Sequence, residues 1–268
     1  MASTLAAFDL LEPIARGGMG EVWSARHRLS GAEVAFKVLH AEGAKKAIAD
    51  AFVREARSAA VLHHPGVVQV FEYGRCDAES PFAEGSPWIA MEICRGGHLG
   101  SRRLTDWQQL QQLLRRLLDI LAHTHARGVL HRDIKPENVL FTDRSDMIMG
   151  KLTDFGLATA LGASDEPSER RVVGTPSYMS PEQYLQRWRA FCPATDLYAL
   201  ACMAWRLLCG YAPFDRTTAD LPALARAHLR SAPPPLMPRF EVPRVFEEWL
   251  CWLLEKDPGM RPACAADA

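Results

Sequence analysis

The sequence predicts an α+β fold in two lobes, and three observations carry that prediction. Short strand-like runs crowd into the first third of the chain, helical periodicities fill the rest, and a glycine-containing segment, residues 92–97, lies between them as a hinge. At 268 residues, 48% hydrophobic and 24% charged, the chain holds enough apolar material for one large domain or two small lobes.

In order along the chain, Val22, Trp23, Val34, Ala35, Phe36, Val38 and Leu39 occupy short runs around the turn signal Leu29-Ser30-Gly31. A helix is expected over residues 44–62, closed by His64-Pro65-Gly66. Strands over residues 67–73 and 88–93 flank a polar loop, residues 77–87. The clearest helix covers residues 106–127. Thr105 is its expected N-cap with Gln108 completing a capping box, Trp107, Leu110, Leu114, Leu117, Leu118 and Leu121 form one face, and Gly128 ends it. From Pro193 onward the pattern is mostly helical, apart from a proline run at 232–238, and no internal repeat is visible.

Composition removes several classes of function. With 31 basic and 32 acidic side chains and a net charge of −1, no global field draws the chain to nucleic acid or an anionic membrane. Residues 1–11 lack the basic and apolar regions of a secretory leader. The uncharged run 197–205 stops at Arg206, well short of the roughly 20 residues a membrane helix needs. Seven cysteines, an odd number with no CxxC pair, argue against a disulfide framework or structural zinc and fit a reducing cytoplasm. His63-His64 and His123-Thr124-His125 are the histidine clusters, and on a helix side chains at i and i+2 point apart.

Ala15-Arg16-Gly17-Gly18-Met19-Gly20 is a glycine-rich turn between strands. It reads either as a plain turn or as a loop whose backbone N–H groups approach phosphate oxygens with no Cβ in the way. A dinucleotide-binding turn would open a helix, whereas here the chain returns as a second strand, Val34-Ala35-Phe36-Lys37-Val38-Leu39. The lone Lys37 in that apolar run is either an edge lysine reaching solvent or the partner of Glu55 on the following helix.

Three further stretches decide between these readings: His131-Arg132-Asp133-Ile134-Lys135-Pro136-Glu137-Asn138, Thr153-Asp154-Phe155-Gly156, and Gly174-Thr175-Pro176-Ser177-Tyr178-Met179-Ser180-Pro181-Glu182. With the glycine turn and Lys37 they resemble, in order and spacing from about residue 8 to Arg261, the signature set of a eukaryotic-like (Hanks-type) serine/threonine protein kinase, and their wording is closest to bacterial members. The resemblance implies a bilobal protein kinase fold: residues 1–91 as an ATP-binding lobe with an antiparallel sheet and one key helix, 92–97 as hinge, and 98–268 as a mainly helical catalytic lobe, cut before its last helix.

That family moves the γ-phosphate of ATP to Ser or Thr hydroxyls, a reaction that depends on positioning and charge neutralisation more than on covalent help. By the resemblance Lys37 holds the α and β phosphates and pairs with Glu55. Asp154 and Asn138 bind Mg²⁺, with Mn²⁺ as a substitute; Asp133 takes or orients the proton of the attacking hydroxyl; Lys135 neutralises the γ-phosphate. Ala15, Arg16, Gly17, Gly18, Met19 and Gly20 cover the phosphates, Val22, Ala35 and Leu140 sandwich the adenine, Met91 is the gatekeeper, and the backbones of Glu92 and Cys94 bond the adenine edge. Glu182 pairs with Arg261, and Asp196 is a second anchor.

Two departures stand out. Ala15 occupies the family's first loop glycine, and Arg95 and His98 stand at the hinge exit where relatives often carry an acidic residue. For regulation, Arg132 precedes Asp133 in the arrangement that pairs with an activation-loop phosphate. Thr159, Ser164 and Ser168 lie in that loop, Ser168 being the expected site of phosphorylation in trans by a second copy in a homodimer. Thr175 is expected to bond Asp133 and Lys135.

Expected partners are ATP and protein substrates, with no nucleic acid and no membrane contact from this segment. The whole protein is expected to be longer, cytoplasmic here, with any sensor or anchor beyond residue 268. A pseudokinase or nucleotide-binding scaffold would be favoured by loss of Lys37, Asp133 or Asp154, and none is lost; a small-molecule phosphotransferase is disfavoured by residues 174–182. The chain's one Asn is Asn138, and two of its six lysines are Lys37 and Lys135, in a composition otherwise dominated by arginine.

Overall fold

Alternation in Val34-Ala35-Phe36-Lys37-Val38-Leu39 sets the layout of the sheet, because neighbouring side chains on a strand face opposite ways. The computed structural model describes residues 4–5, 7–17, 20–40, 46–143, 149–155, 175–216 and 220–268. Six strands form one antiparallel sheet: β1 Thr4–Leu5, β2 Phe8–Gly17, β3 Gly20–His27, β4 Glu33–Leu39, β5 Val70–Arg75 and β6 Pro87–Met91, in the order β1-β2-β3-β4-β6-β5. One face buries Phe8, Val34, Phe36, Val38 and Trp88, with the Phe36 and Trp88 rings stacked 5.0 Å apart. The other face buries Ala35, Leu39, Ile89 and Met91 in a larger core shared with helix α1, Lys46–Ala60. Lys37 lies on that second face, since the two-residue alternation of the strand places it with Ala35 and Leu39.

The larger core continues without a break into helix α2, Trp107–His125, and helix α4, Pro193–Cys209. Helix α4 is buried almost all round, which its sequence of Leu, Ala, Cys, Met and Trp permits, and Gly210 ends it at φ 87°, in the left-handed region. Helix α3, Pro181–Tyr184, precedes it; α5, Leu221–Arg230, and α6, Arg244–Leu253, follow. A two-stranded hairpin, β7 Val139–Leu140 with β8 Lys151–Leu152, lies between α2 and α3 in sequence. Among the described residues no helix is long and apolar enough to cross a membrane.

Several boundaries differ from the sequence reading. The N-cap of α2 is Asp106, not Thr105: its carboxylate accepts the Gln109 N–H at 2.9 Å, and Gln109 Oε1 reaches back to the Thr105 N–H at 3.1 Å. The cap is therefore shifted by one residue while the return bond still reaches the Thr105 N–H, because an ionised carboxylate caps a helix N-terminus at least as well as a hydroxyl and also meets its dipole. The helix ends at His125, with Gly128 at φ 72° completing the turn. The strand expected at 67–73 begins its ladder only at Val70, since Val67 instead bridges Leu152 in parallel.

Candidate active site

The segment 131–138 leaves α2 and is shaped by hydrogen bonds from distant parts of the chain. Asp196, fully buried in the first turn of α4, accepts the His131 N–H at 2.8 Å, the Arg132 N–H at 2.7 Å and His125 Nε2–H at 2.8 Å. These bonds hold Arg132 at φ 65°, a conformation a long side chain rarely adopts unaided. Burial raises the Asp196 carboxyl, but the donors outweigh it and leave its pKa below the ordinary value. His131, also fully buried, donates Nε2–H to the Thr153 carbonyl at 2.9 Å and accepts the Asp133 N–H on Nδ1 at 3.3 Å. That is the neutral ring's one donor and one acceptor, in keeping with a pKa that burial lowers. Its ring packs on Phe155 at 4.7 Å.

These restraints bring Asp133, Lys135, Asn138 and Thr175 together. Lys135 Nζ donates to Asp133 Oδ2 at 2.7 Å and to Thr175 Oγ1 at 3.0 Å, and Thr175 Oγ1 stands 3.4 Å from Asp133 Oδ1. Asn138 Nδ2 donates to the Asp133 carbonyl at 2.8 Å and to Asp133 Oδ2 at 3.1 Å. The β7–β8 hairpin carries Asp154 alongside, with the Thr153 N–H bonded to the Asn138 carbonyl at 3.0 Å. Asp154 is at φ 63°, and Lys37 Nζ donates to its Oδ2 at 2.7 Å. Burial raises the Asp154 carboxyl, and the Lys37 ammonium overcomes that to hold it below the usual range.

The expected Lys37–Glu55 pair is not made. Lys37 is taken by Asp154, and α1 sets Glu55 beside Arg132, whose Nη1 lies 3.5 Å from Glu55 Oε1. Burial pushes the Glu55 carboxyl up, and the Arg132 and Arg54 charges oppose this without reversing it. A close ammonium at 2.7 Å satisfies one carboxylate well, so the other is left to the more distant guanidinium.

The residues expected from sequence to face the nucleotide lie on the β2–β3 hairpin, on β4 and β6, and on the β7–β8 hairpin. Ala15 pairs with Val22, Arg16 with Glu21 and Gly17 with Gly20 across the β2–β3 hairpin; Gly18 and Met19 lie outside the described residues. A Cβ on Gly20 would meet the Val38 carbonyl oxygen at 2.2 Å, so this glycine is required by the approach of β4; one on Gly17 would meet nothing within 4 Å. Ala35 and Met91 pair across β4 and β6, and Val22, Cys94 and Leu140 pack against the same core. Burial raises the Cys94 thiol to about 11, so it stays protonated and inert. The departure Arg95 forms an ion pair with Glu33 at the start of β4. Ser168, Thr159, Ser164 and Gly156 lie outside the described residues.

Glu182 and Arg261 form a buried two-pronged pair at 2.9 and 3.0 Å. Thr195 Oγ1 adds a third bond to Glu182 at 2.8 Å. Three contributors escaped the sequence reading: His125 on Asp196, Gln183 Nε2 on the Arg132 carbonyl at 2.8 Å, and Lys151 on Glu92. No local motif marks them, because each partner is more than fifty residues away. The residues present fit a hard divalent cation: Asn138 spends its Nδ2 on Asp133, leaving its amide oxygen, and Asp154 supplies a carboxylate. Two protein oxygens suit an ion that completes its shell with phosphate and water.

A bilobal fold with an acid–lysine–asparagine cluster facing a lysine–aspartate pair defines a phosphotransferase of the protein kinase class. The chain belongs to the protein kinase domain family, whose model matches residues 8–267. It is 36% identical over 263 residues to the serine/threonine-protein kinase PknA of Mycobacterium tuberculosis, covering 95% of this chain and 58% of that one. It is 33% identical over 265 residues to the serine/threonine-protein kinase pkn3 of Myxococcus xanthus (94% and 47%) and 35% identical over 266 residues to Pkn1 of the same organism (97% and 37%). The chain thus spans less than two thirds of the length of each of these relatives.

Proposed function

We propose that the protein is a serine/threonine protein kinase that transfers the γ-phosphate of ATP to hydroxyls of protein substrates with Mg²⁺, or Mn²⁺ in its place. The observation that carries this reading is the Asp133 carboxylate, held on one oxygen by Lys135 and Asn138 and only weakly engaged on the other. Oδ2, with donors at 2.7 and 3.1 Å, is committed. Oδ1, with Thr175 Oγ1 at 3.4 Å, is the oxygen to receive or orient a substrate hydroxyl's proton. Lys135 brings a compact positive charge to where the γ-phosphate is transferred, and Lys37 brings another to the α and β phosphates. Asp154 and Asn138 would hold the metal, which supplies neutralisation of charge on the phosphate oxygens when bound.

Residues 1–91 serve as the ATP-binding lobe, 92–97 as hinge and 98–268 as the catalytic lobe. Val22, Ala35 and Leu140 enclose the adenine under the gatekeeper Met91, and the Glu92 and Cys94 backbones bond its edge. Arg132 would receive a phosphate on the loop containing Ser168, placed there in trans by a second copy; its weak 3.5 Å hold on Glu55 and its buried Nε, without a partner among the described residues, support that role. The protein acts in the cytoplasm.

Transfer of labelled γ-phosphate to the protein itself or to a generic basic protein tests the activity. Asp133→Asn is expected to reduce transfer by at least about a hundredfold, the scale of losing a positioned base. Equal signal from wild type and variant would favour a nucleotide-binding scaffold instead.

A further inference from the structure

The hinge and the metal-holding segment are tied by an ion pair that the catalytic scheme does not use. Lys151, in β8 three residues before Asp154, sets its Nζ across the carboxylate of Glu92, at 2.6 Å from Oε1 and 2.7 Å from Oε2. Both side chains are largely shielded, at 18% and 25% exposure. Glu92 is fixed a second time, since its Oε2 accepts the Gln69 N–H at 3.3 Å and its own N–H donates to the Gln69 carbonyl at 2.8 Å. The strand carrying Lys151 is fixed to the same loop: the Leu152 N–H donates to the Gly66 carbonyl at 2.8 Å and the Val68 N–H to the Leu152 carbonyl at 2.9 Å. Residues 66–69, 92 and 151–152 therefore form one knot, with the hinge leaving on one side and Asp154 on the other.

We infer that Lys151 is a positioning residue for ATP: its grip on Glu92 sets the hinge peptide that presents bonding groups to the adenine, in register with Asp154. This rests on the reading of the Glu92 and Cys94 backbones as the adenine contacts. The ammonium touches neither the phosphates' partners nor Asp133, so its work is to hold the base end of the nucleotide. A carboxylate held on both oxygens by one ammonium loses little side-chain freedom further when the nucleotide binds, which is how preorganisation raises affinity.

Calorimetric binding of adenosine, with steady-state transfer from ATP, tests this on wild type, Lys151→Met, Lys151→Arg and Glu92→Gln. In Lys151→Met the adenosine Kd and the KM for ATP are expected to rise together by about fivefold, the scale of one partly shielded ion pair, with kcat at saturating ATP within about twofold of wild type. Lys151→Arg, which can still bridge the carboxylate, restores the adenosine affinity, and Glu92→Gln reproduces the weakening and serves if Lys151→Met does not fold. A folded Lys151→Met with wild-type adenosine affinity, or one losing kcat with no change in adenosine binding, overturns the inference and leaves the kinase reading standing. Wild-type protein that binds no adenosine overturns both.

Discussion

Arg261 spends all five of its N–H donors: two on Glu182, and the others on the carbonyls of Ala194, Glu255 and Lys256. A guanidinium is the one side chain with that fork, so Arg261→Lys cannot reproduce the pair. Arg261→Ala would leave Glu182 charged and buried, and urea unfolding is expected to show a loss of about 3–5 kcal/mol. Glu55 tells a different story at the same scale. In the arrangement described its carboxylate meets Arg132, while Lys37 serves Asp154. The family resemblance implies that Lys37 turns from Asp154 to Glu55 in the working arrangement, so Glu55→Gln, which in the arrangement described loses only the 3.5 Å contact with Arg132, is expected to lower kcat/KM by about tenfold to a hundredfold with little change in melting temperature. An equal activity in the two proteins would show that Lys37 never uses Glu55. The sequence marked both residues, but which cation each carboxylate meets depends on where α1 lies against segment 131–133, and no local pattern encodes that.

Elements were legible where a period was long and clean. The apolar stripe of α2 and the alternation of β4 both reappear as buried faces. Ends were less legible, because a cap is a competition among neighbours: Thr105 and Asp106 are both capping residues, and the carboxylate takes the position. Asp106→Ala should cost about 1 kcal/mol and lower the melting temperature by about 2 °C, while Thr105→Ala should cost less; the reverse order in thermal melts would contradict the assignment. Gly20 shows what a glycine motif conceals. Its lack of a side chain is needed by the β4 backbone 2.2 Å from where a Cβ would stand, so Gly20→Ala is expected to weaken the sheet and raise the KM for ATP, whereas Gly17→Ala should leave the melting temperature unchanged.

Across the whole molecule, buried ionisable groups set how the fold meets acid. His228, beside Tyr198 and Phe214, has its pKa lowered by burial to about 3, and that of His131 is lowered too. His228 stays neutral in the fold but takes a proton when unfolded, so stability declines between about pH 6.5 and about pH 3, by up to about 1.4 kcal/mol per pH unit, and the lowered pKa of His131 acts in the same direction. Glu182 and Asp196 are held ionised below their ordinary values of 4.5 and 3.8, so the stability they contribute is present above those values and is lost as the pH falls through the lowered ones. Melting temperature measured from pH 8 to pH 3 should fall in two stages, and Glu182→Gln should flatten only the second. The same long-range anchoring has a consequence in time. As the chain is synthesised, the His131 and Arg132 amides wait 65 and 64 residues for Asp196, and Glu182 waits 79 for Arg261. At about 5–20 residues per second that is several seconds during which a nascent chain carries its whole catalytic sequence but not the shape that would use it. The order of residues along the chain thereby sets the order of events, since the catalytic segment is made first and takes its shape only when its distant anchors arrive.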